Sequence, residues 1–195
     1  MRELPEIVLV STSPYRRALM ERLGIPFRCR APRFDEATCK GLGLDPETLA
    51  RKLAWEKVQS VHDLDPEAVL IGSDQVVAMK AAIFGKPGTA KAAVAQLMRF
   101  SGREHDLITA VMMRHRDRVN EFTDTTTIRF RQFTRDEAKR YVELDSPLDC
   151  AGSYKLESKG FMLVDKIFSL DETAITGLPL IAVAGALRAI GFRLP

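Results

Sequence analysis

Apolar runs and the breaks between them predict alternating strands and helices in the first part of the chain. Residues 7–10 form a short continuous apolar run, which is typical of a strand buried on both faces. A helix is predicted from residue 14 to about 23, with Gly24 behind it, and a second strand at residues 27–31. Residues 32–46 contain Gly41 and Gly43 and are predicted to form a loop.

The same pattern continues through the middle of the chain. Asp45, followed by a proline, predicts the start of a helix that runs to about residue 61. A buried strand is predicted at residues 69–78, although a polar island interrupts its apolar run. A turn at residues 85–88 then leads to Thr89, which is expected to cap a third helix that ends near residue 100.

The second half predicts a hairpin of two long strands, at residues 106–115 and 119–133. Thr and Arg alternate with other residues from 123 to 131, which indicates a solvent-exposed strand face. A capping box at residues 134–137 predicts a helix to about residue 144. We expect a pair of strands after it, and then a C-terminal helix that begins at Pro179. The whole pattern predicts an α/β fold in which helices flank a mixed, twisted sheet.

Composition narrows the class of protein. The 195 residues include 46% hydrophobic and 28% charged residues, which suits one soluble domain over residues 1–195. The 29 basic and 26 acidic residues are interspersed, which argues against a nucleic-acid surface such as an RNA-binding module. Neither a signal peptide nor a membrane span is expected. Three cysteines without a C-x-x-C spacing predict no zinc site and no disulfide framework. We therefore expect a cytoplasmic protein.

The turn after the first strand carries the first candidate chemistry. Ser13 is a preferred N-cap, and Arg16 and Arg17 fall in the first turn of the helix. The helix dipole disfavours cations there by about 0.3–1 kcal/mol each. A bound phosphate would reverse that preference, because backbone N–H groups and guanidinium groups would converge on it. The alternative is that both arginines are solvated and pair with acidic neighbours such as Glu21.

Lys57 interrupts the apolar stripe of the second predicted helix. The stripe consists of residues spaced three or four apart, namely Ala50, Leu53, Ala54, Val58 and Val61. A lysine in this stripe must extend its ammonium to solvent or meet an anion inside the protein.

Asp74 lies in the polar island of the third predicted strand. A buried carboxylate is costly unless it is paired or binds a metal, so Asp74 is a candidate metal ligand or general base. It could equally be held by backbone hydrogen bonds at a bulge. Asp35 and Glu36, on the preceding loop, could supply a second carboxylate or be solvated. Lys86, between a glycine and a proline, is held extended and could reach an anion.

The order of these motifs resembles one known family over essentially the whole chain. The motifs are residues 11–17 (Ser-Thr-Ser-Pro-Tyr-Arg-Arg), 34–36, 56–57, 72–76 (Gly-Ser-Asp-Gln-Val), 85–87, 101–102, 109–110, 150–157 and 177–180. Each motif alone is weak, whereas the ordered set is specific. The sequence resembles the Maf family of nucleotide pyrophosphatases.

This resemblance implies a fold with two lobes around a central nucleotide-binding cleft, often in a homodimer. It also implies cleavage of a nucleoside triphosphate to the monophosphate and diphosphate with a divalent cation, Mg²⁺, Mn²⁺ or Co²⁺. The positions that match the family's functional residues are Ser13, Arg16, Glu36, Lys57, Asp74 and Lys86. Of these, Asp74, Lys57 and Lys86 are expected to be catalytic, Glu36 and Asp74 to bind metal, and Ser13, Arg16, Lys57 and Lys86 to bind phosphate.

Three further positions indicate a branch of the family. Gln75 and Glu157 match the branch that acts on 7-methyl-GTP, whereas Tyr15 stands where that branch usually carries tryptophan. A carboxylate such as Glu157 can accept the N–H donors of guanine, and an aromatic face suits a cationic methylated base. The alternatives are the same reaction on dTTP, UTP or another noncanonical nucleotide, and a non-enzymatic nucleotide sensor that restrains cell division.

Overall fold

The computed structural model describes residues 4–39 and 41–195. Residues 1–3, at the start of the segment in which no signal peptide is expected, and Lys40, in the predicted loop, lie outside the described residues. The helices are α1 (Pro14–Glu21), α2 (Pro46–Gln59), α3 (Ala90–Phe100), α4 (Arg135–Asp145), α5 (Glu172–Ile175) and α6 (Leu180–Ile190). The strands are β1 (Ile7–Val10), β2 (Arg28–Arg30), β3 (Val69–Met79), β4 (Ala82–Phe84), β5 (Glu104–His115), β6 (Arg118–Phe130) and β7 (Val164–Phe168).

These strands form a seven-stranded mixed sheet. The order is β2-β1-β3-β5-β6-β7, and β4 pairs with β3. β1 runs parallel to β2 and to β3, whereas β4 and β7 pair antiparallel with β3 and β6. The prediction of an α/β fold with a mixed sheet is confirmed. No helix in the described part of the chain is long and apolar enough to cross a membrane.

Local signals placed most element boundaries well. Thr89 caps α3, Asp45 caps α2, and the capping box of Thr134 and Glu137 is formed at α4. The predicted pair of strands before the C-terminal helix is wrong, since only β7 is found there among the described residues. Two 3₁₀ turns, Ala151–Ser153 and Gly160–Leu163, occupy the chain before β7, and Gly152 and Ser153 have φ of 77° and 67°, which a strand does not adopt. β4 and α5 are short elements that the pattern did not predict.

The chain divides into two compact units. The first comprises the chain up to Gln75 with Thr109–Asp124 and Asp171–Pro195, and the second comprises Val76–Ile108 and Thr125–Leu170. One domain arranged as two lobes around a cleft stays a prediction. In the first unit the odd-numbered residues of β1 and β3 face a core completed by α1, β5 and α6. That core includes Ile7, Leu9, Met20, Val69, Ile71, Val111, Met113, Leu178, Val183 and Leu187.

The second unit is built around a buried histidine. His105 stacks on Phe100 with ring centroids 4.3 Å apart and meets Phe130 edge-on at 4.8 Å. Its Nε2 lies 2.9 Å from the hydroxyl of Tyr154, while its Nδ1 has no hydrogen-bond partner among the described residues. Burial lowers the pKa of His105 from 6.5 to about 4, because the charged ring would lose its hydration. His105 is therefore a residue of the aromatic core of this unit.

This burial predicts a pH-dependent stability. The unfolded chain binds a proton at His105 below pH 6.5 and the folded chain does not until about pH 4, so stability falls as the pH falls through this range. Between pH 7 and pH 5 the wild type should lose about 2 kcal/mol of unfolding free energy more than His105→Gln does. Denaturant unfolding at both pH values measures this, with the exposed His62→Gln as the control. Equal losses in the wild type and His105→Gln would contradict the assignment.

Candidate active site

The apolar side chains of β3 give way to polar ones at residues 73–75. Because side chains alternate along a strand, Ser73 and Gln75 continue the face of Ile71, and Asp74 continues the face of Gly72. Ser73 donates to the carbonyl of Gly177 between α5 and α6, Gln75 donates to carbonyls of α5, and Asp74 meets helix α2. The polar island is therefore an ordered arrangement in which each side chain has its own partner.

Gly72 sets the close approach of α2 to β3. A Cβ built at Gly72 would lie 2.6 Å from Cγ2 of Val58 and 2.8 Å from the carbonyl oxygen of Ala54. Only glycine fits at this distance. The approach brings the inward face of α2, including Lys57, against the strand face that carries Asp74.

Lys57 and Asp74 form a buried ion pair. Lys57 is 5% exposed and Asp74 8%, and the Lys57 ammonium hydrogen-bonds Oδ1 of Asp74. The ammonium does not extend to solvent. Of the two possibilities that the stripe left open, contact with an anion inside the protein is the one observed.

Glu36 supplies a second carboxylate to the same ammonium. Its Oε1 lies 2.9 Å from Nζ of Lys57, although half of the Glu36 side chain is exposed. Asp35 does not take this role, because its Oδ1 accepts the N–H of Ala37 and its carbonyl accepts the hydroxyl of Thr38. Asp35 thus caps the 3₁₀ turn Glu36–Cys39, and the buried Cys39 holds the other end of that turn in the protein.

The first turn of α1 separates its two arginines. The Ser13 hydroxyl accepts the N–H of Arg16 at 3.4 Å, and the Ser13 N–H donates to Oγ of Ser11 at 3.1 Å. Two of the amides expected to converge on a phosphate therefore already have acceptors. Arg17 pairs with Glu21 at 3.1 Å on the surface, so the solvated alternative holds for Arg17 and not for Arg16.

Arg16 is held by a backbone carbonyl. Its Nε donates to the oxygen of Gly177 at 2.9 Å, and the Ser73 hydroxyl donates to the same oxygen at 2.7 Å. Burial lowers the pKa of the Arg16 guanidinium, and the carboxylates of Asp74 and Glu36 act in the opposite direction. Arginine remains protonated at neutral pH under such shifts. The guanidinium therefore contributes a positive charge to the same electrostatic neighbourhood as Asp74, Glu36 and Lys57.

Gln75, expected to determine specificity, makes its hydrogen bonds to the fold. Its Nε2 lies 2.9 Å from Oγ1 of Thr109, 2.9 Å from the carbonyl oxygen of Ala174 and 3.0 Å from that of Ile175. An amide nitrogen has only two hydrogens to donate, so these contacts use all of them. The side-chain nitrogen of Gln75 ties β3 to α5, a role that no local sequence signal indicated.

The remaining predicted residues belong to different parts of the chain. Tyr15 is half-buried in α1 of the first unit. Lys86 and Glu157 belong to the second unit, where both side chains are exposed. Their expected roles toward a nucleotide stay predictions.

The carboxylates suit a hard divalent cation. Asp74 and Glu36 both contact one cationic nitrogen, which shows that two carboxylates can serve the same charge. Mg²⁺ is commonly held by one or two carboxylates together with substrate phosphates. No group of three or more potential histidine, cysteine or carboxylate ligands is found among the described residues. Asp74 and Glu36 are the residues that could hold such a metal together with substrate phosphates.

The tight packing at Gly72 predicts a large cost for one added methyl group. Gly72→Ala should lower the unfolding free energy by about 1–3 kcal/mol, because α2 must move away from β3. Gly85→Ala is the matched control, since a Cβ at Gly85 meets no described atom within 4 Å. Denaturant unfolding of both variants measures the difference. A Gly72→Ala variant as stable as Gly85→Ala would contradict the packing described here.

The chain is similar to known proteins over most of its length. The family model described as "Maf-like protein" matches residues 6–190. A protein named "7-methyl-GTP pyrophosphatase" from Bdellovibrio bacteriovorus is 45% identical over 94% of this chain and 96% of its own length. Proteins of the same name from Aromatoleum aromaticum and Xanthomonas oryzae pv. oryzae are each 44% identical, over 97% and 98% of this chain and 98% and 100% of their own.

Among solved structures, a nucleoside-triphosphatase / dITP/XTP pyrophosphatase from Mycobacterium abscessus is similar at 13% identity, with a TM-score of 0.41 over 95% of this chain and 96% of that one. That likeness is too distant to bear on function. The family model and the relatives span nearly the whole chain, and the residues that the family model matches include those of the site. The chain belongs to the Maf family.

Proposed function

We propose that this protein is a nucleotide pyrophosphatase that hydrolyses 7-methyl-GTP to 7-methyl-GMP and diphosphate with the help of a divalent metal. The observation that carries the proposal is the buried Lys57 ammonium, held by the carboxylates of Asp74 and Glu36. Burying such a cluster costs free energy of desolvation, whereas beside a polyphosphate its charges can bind the substrate. Membership in the Maf family and the names of the close relatives support the substrate class.

The cations account for phosphate binding. Arg16 offers its terminal nitrogens, and Lys57 lies in the same unit. When phosphates arrive, the Lys57 ammonium can share its contacts between Asp74 and a phosphate oxygen. Lys86 is the third cation that we propose binds the phosphates. Positive charge at these positions stabilises the negative charge that accumulates on the leaving diphosphate.

Asp74 accounts for the attack on phosphorus. Lys57 binds Asp74 through Oδ1, and Oδ2 is then the oxygen that accepts a proton from the attacking water. The oxygen of that water forms a bond to the α-phosphorus, and the bond from the α-phosphorus to the bridging oxygen breaks as diphosphate leaves. A divalent metal held by Asp74 and Glu36 would supply charge neutralisation and a more acidic water.

The choice of base rests on Tyr15 and Glu157. A cationic methylated guanine favours an aromatic face and a carboxylate, and these two side chains provide one of each. The side-chain nitrogen of Gln75 hydrogen-bonds Thr109 and the carbonyl of Ala174 within the protein. We assign its nitrogen to support of α5, and contact between Gln75 and the base stays a prediction. Homodimer formation and cytoplasmic location stay predictions, and a mass measurement in solution decides the first.

A hydrolysis assay tests the proposal. The purified chain, supplied with magnesium, manganese or cobalt, should release diphosphate from 7-methyl-GTP faster than from GTP, UTP or dTTP, and chelation by EDTA should stop the reaction. Release from UTP or dTTP at an equal or higher rate would overturn the choice of base. Nucleotide binding without any diphosphate release would indicate a sensor rather than an enzyme.

The matched variants are Asp74→Asn and Asp117→Asn. Loss of a general base costs at least ~100-fold in rate, so Asp74→Asn should lose that much with its fold intact. Asp117 is exposed in the turn of the hairpin, and Asp117→Asn should retain wild-type turnover. An Asp74→Asn enzyme with near wild-type turnover would rule out the role given to Asp74.

A further inference from the structure

One backbone oxygen binds two side chains of the site. The carbonyl of Gly177 accepts from Nε of Arg16 and from the hydroxyl of Ser73, which together can fill its two lone pairs. Ser73 is completely buried and directly precedes Asp74 in β3. The carbonyl thus links the phosphate-binding arginine to the strand that carries the proposed general base.

The segment around Gly177 is fixed by a buried carboxylate. Asp171 is 5% exposed, and its two oxygens accept the N–H of Thr173 at 2.9 Å and of Ile181 at 2.8 Å. The Thr173 hydroxyl in turn accepts the N–H of Leu180 at 2.7 Å. Asp171 therefore caps both α5 and α6, and the turn between them cannot shift without breaking these bonds.

The absence of a side chain at Gly177 lets the guanidinium of Arg16 pack against the backbone. Its φ is 105°, a conformation that other residues rarely adopt, and an added Cβ would lie 3.3 Å from Nε and 3.4 Å from Nη2 of Arg16. The arginine therefore packs directly against the bare backbone. Any side chain at this position would push the guanidinium away from its acceptor.

We propose that Ser73 and Gly177 are positioning residues for the phosphate grip of Arg16, with Asp171 securing the turn that presents the carbonyl. This inference rests on the proposed role of Arg16 in phosphate binding. A carbonyl orients the guanidinium through Nε without neutralising it, so the terminal nitrogens keep their charge for a phosphate. Arg17, paired with Glu21, shows the alternative in which a carboxylate partner competes for the charge.

Binding of inorganic diphosphate, the proposed leaving group, tests this without requiring turnover. Calorimetry in the presence of magnesium compares the wild type, Arg16→Ala, Ser73→Ala and the double variant. Thr109→Val is the control, because Thr109 is also fully buried and donates to a carbonyl of the same segment, that of Ala174 at 2.9 Å. Melting temperatures show that each variant is folded.

The expected result is a weakening of about tenfold in Arg16→Ala and about three- to tenfold in Ser73→Ala. Because Ser73 acts through Arg16, the double variant should bind no more weakly than Arg16→Ala alone. Thr109→Val should leave diphosphate binding unchanged, because the Thr109 hydroxyl donates to the carbonyl of Ala174 and not to that of Gly177. The positioning role alone is overturned if Arg16→Ala weakens binding and Ser73→Ala does not, or if the two effects multiply.

Failure of the wider proposal has a different signature. If the wild type binds no diphosphate, or if Arg16→Ala binds it normally, Arg16 is not a phosphate ligand and the positioning role falls with it. Absence of hydrolysis in the assay above, together with the coupled binding pattern, would overturn the enzyme proposal and leave the positioning of Arg16 supported.

Discussion

The structure of the site depends on the ion pair of Lys57 and Asp74. Removing an ammonium and a carboxylate from water is expensive, and their attraction in the interior rarely repays more than that cost. Gly72 nevertheless allows α2 to pack closely on β3, and this packing brings the two side chains into contact. A pair that gives little stability but demands so much local design is best explained by chemistry on an anionic substrate.

Two cations of the first unit are held in opposite ways. The Lys57 ammonium is shared by carboxylates, so an incoming phosphate or metal can redistribute those contacts. Arg16 is oriented by a neutral carbonyl and keeps its charge available. The alternation of β3 makes this possible, because Asp74 faces α2 while Ser73 and Gln75 face the segment that supplies the carbonyls. β3 therefore contacts Lys57 through Asp74 and shares the Gly177 carbonyl with Arg16 through Ser73.

Sequence reasoning found the residues that violate a local rule. A lysine within an apolar stripe, a cation in a first helical turn and a carboxylate in a buried strand are each anomalous against their neighbours, and Lys57, Arg16 and Asp74 were predicted for that reason. Caps and turns likewise set most helix boundaries. The local signal did not separate Arg16 from Arg17, whereas the family resemblance named Arg16 alone. In the structure the contact of Arg16 with Gly177 and the ion pair of Arg17 with Glu21 distinguish them.

What could not be predicted depends on contacts between distant parts of the chain. Gly177 lies 161 residues from Arg16 in the sequence, and no local pattern at either position predicts their contact. Gln75 was expected to determine specificity because it matches one branch of the family, and nothing near it in β3 indicates that carbonyls of α5 accept from its nitrogen. The chain before β7 forms the 3₁₀ turns Ala151–Ser153 and Gly160–Leu163 in place of a strand, and no pattern of residues predicted them.

The central claim is that the Lys57–Asp74 pair is retained for chemistry and not for stability. Its most direct test is the unfolding free energy of Lys57→Met, Asp74→Leu and the double variant, measured by denaturant titration. Lys57→Met leaves the buried Asp74 carboxylate without its cation and should cost about 3–5 kcal/mol. Asp74→Leu should cost less, because Glu36 still contacts the Lys57 ammonium. The double variant should match the wild type or exceed it by about 1–4 kcal/mol. A double variant as unstable as the sum of the single changes would show that the pair holds the fold together and would contradict this account.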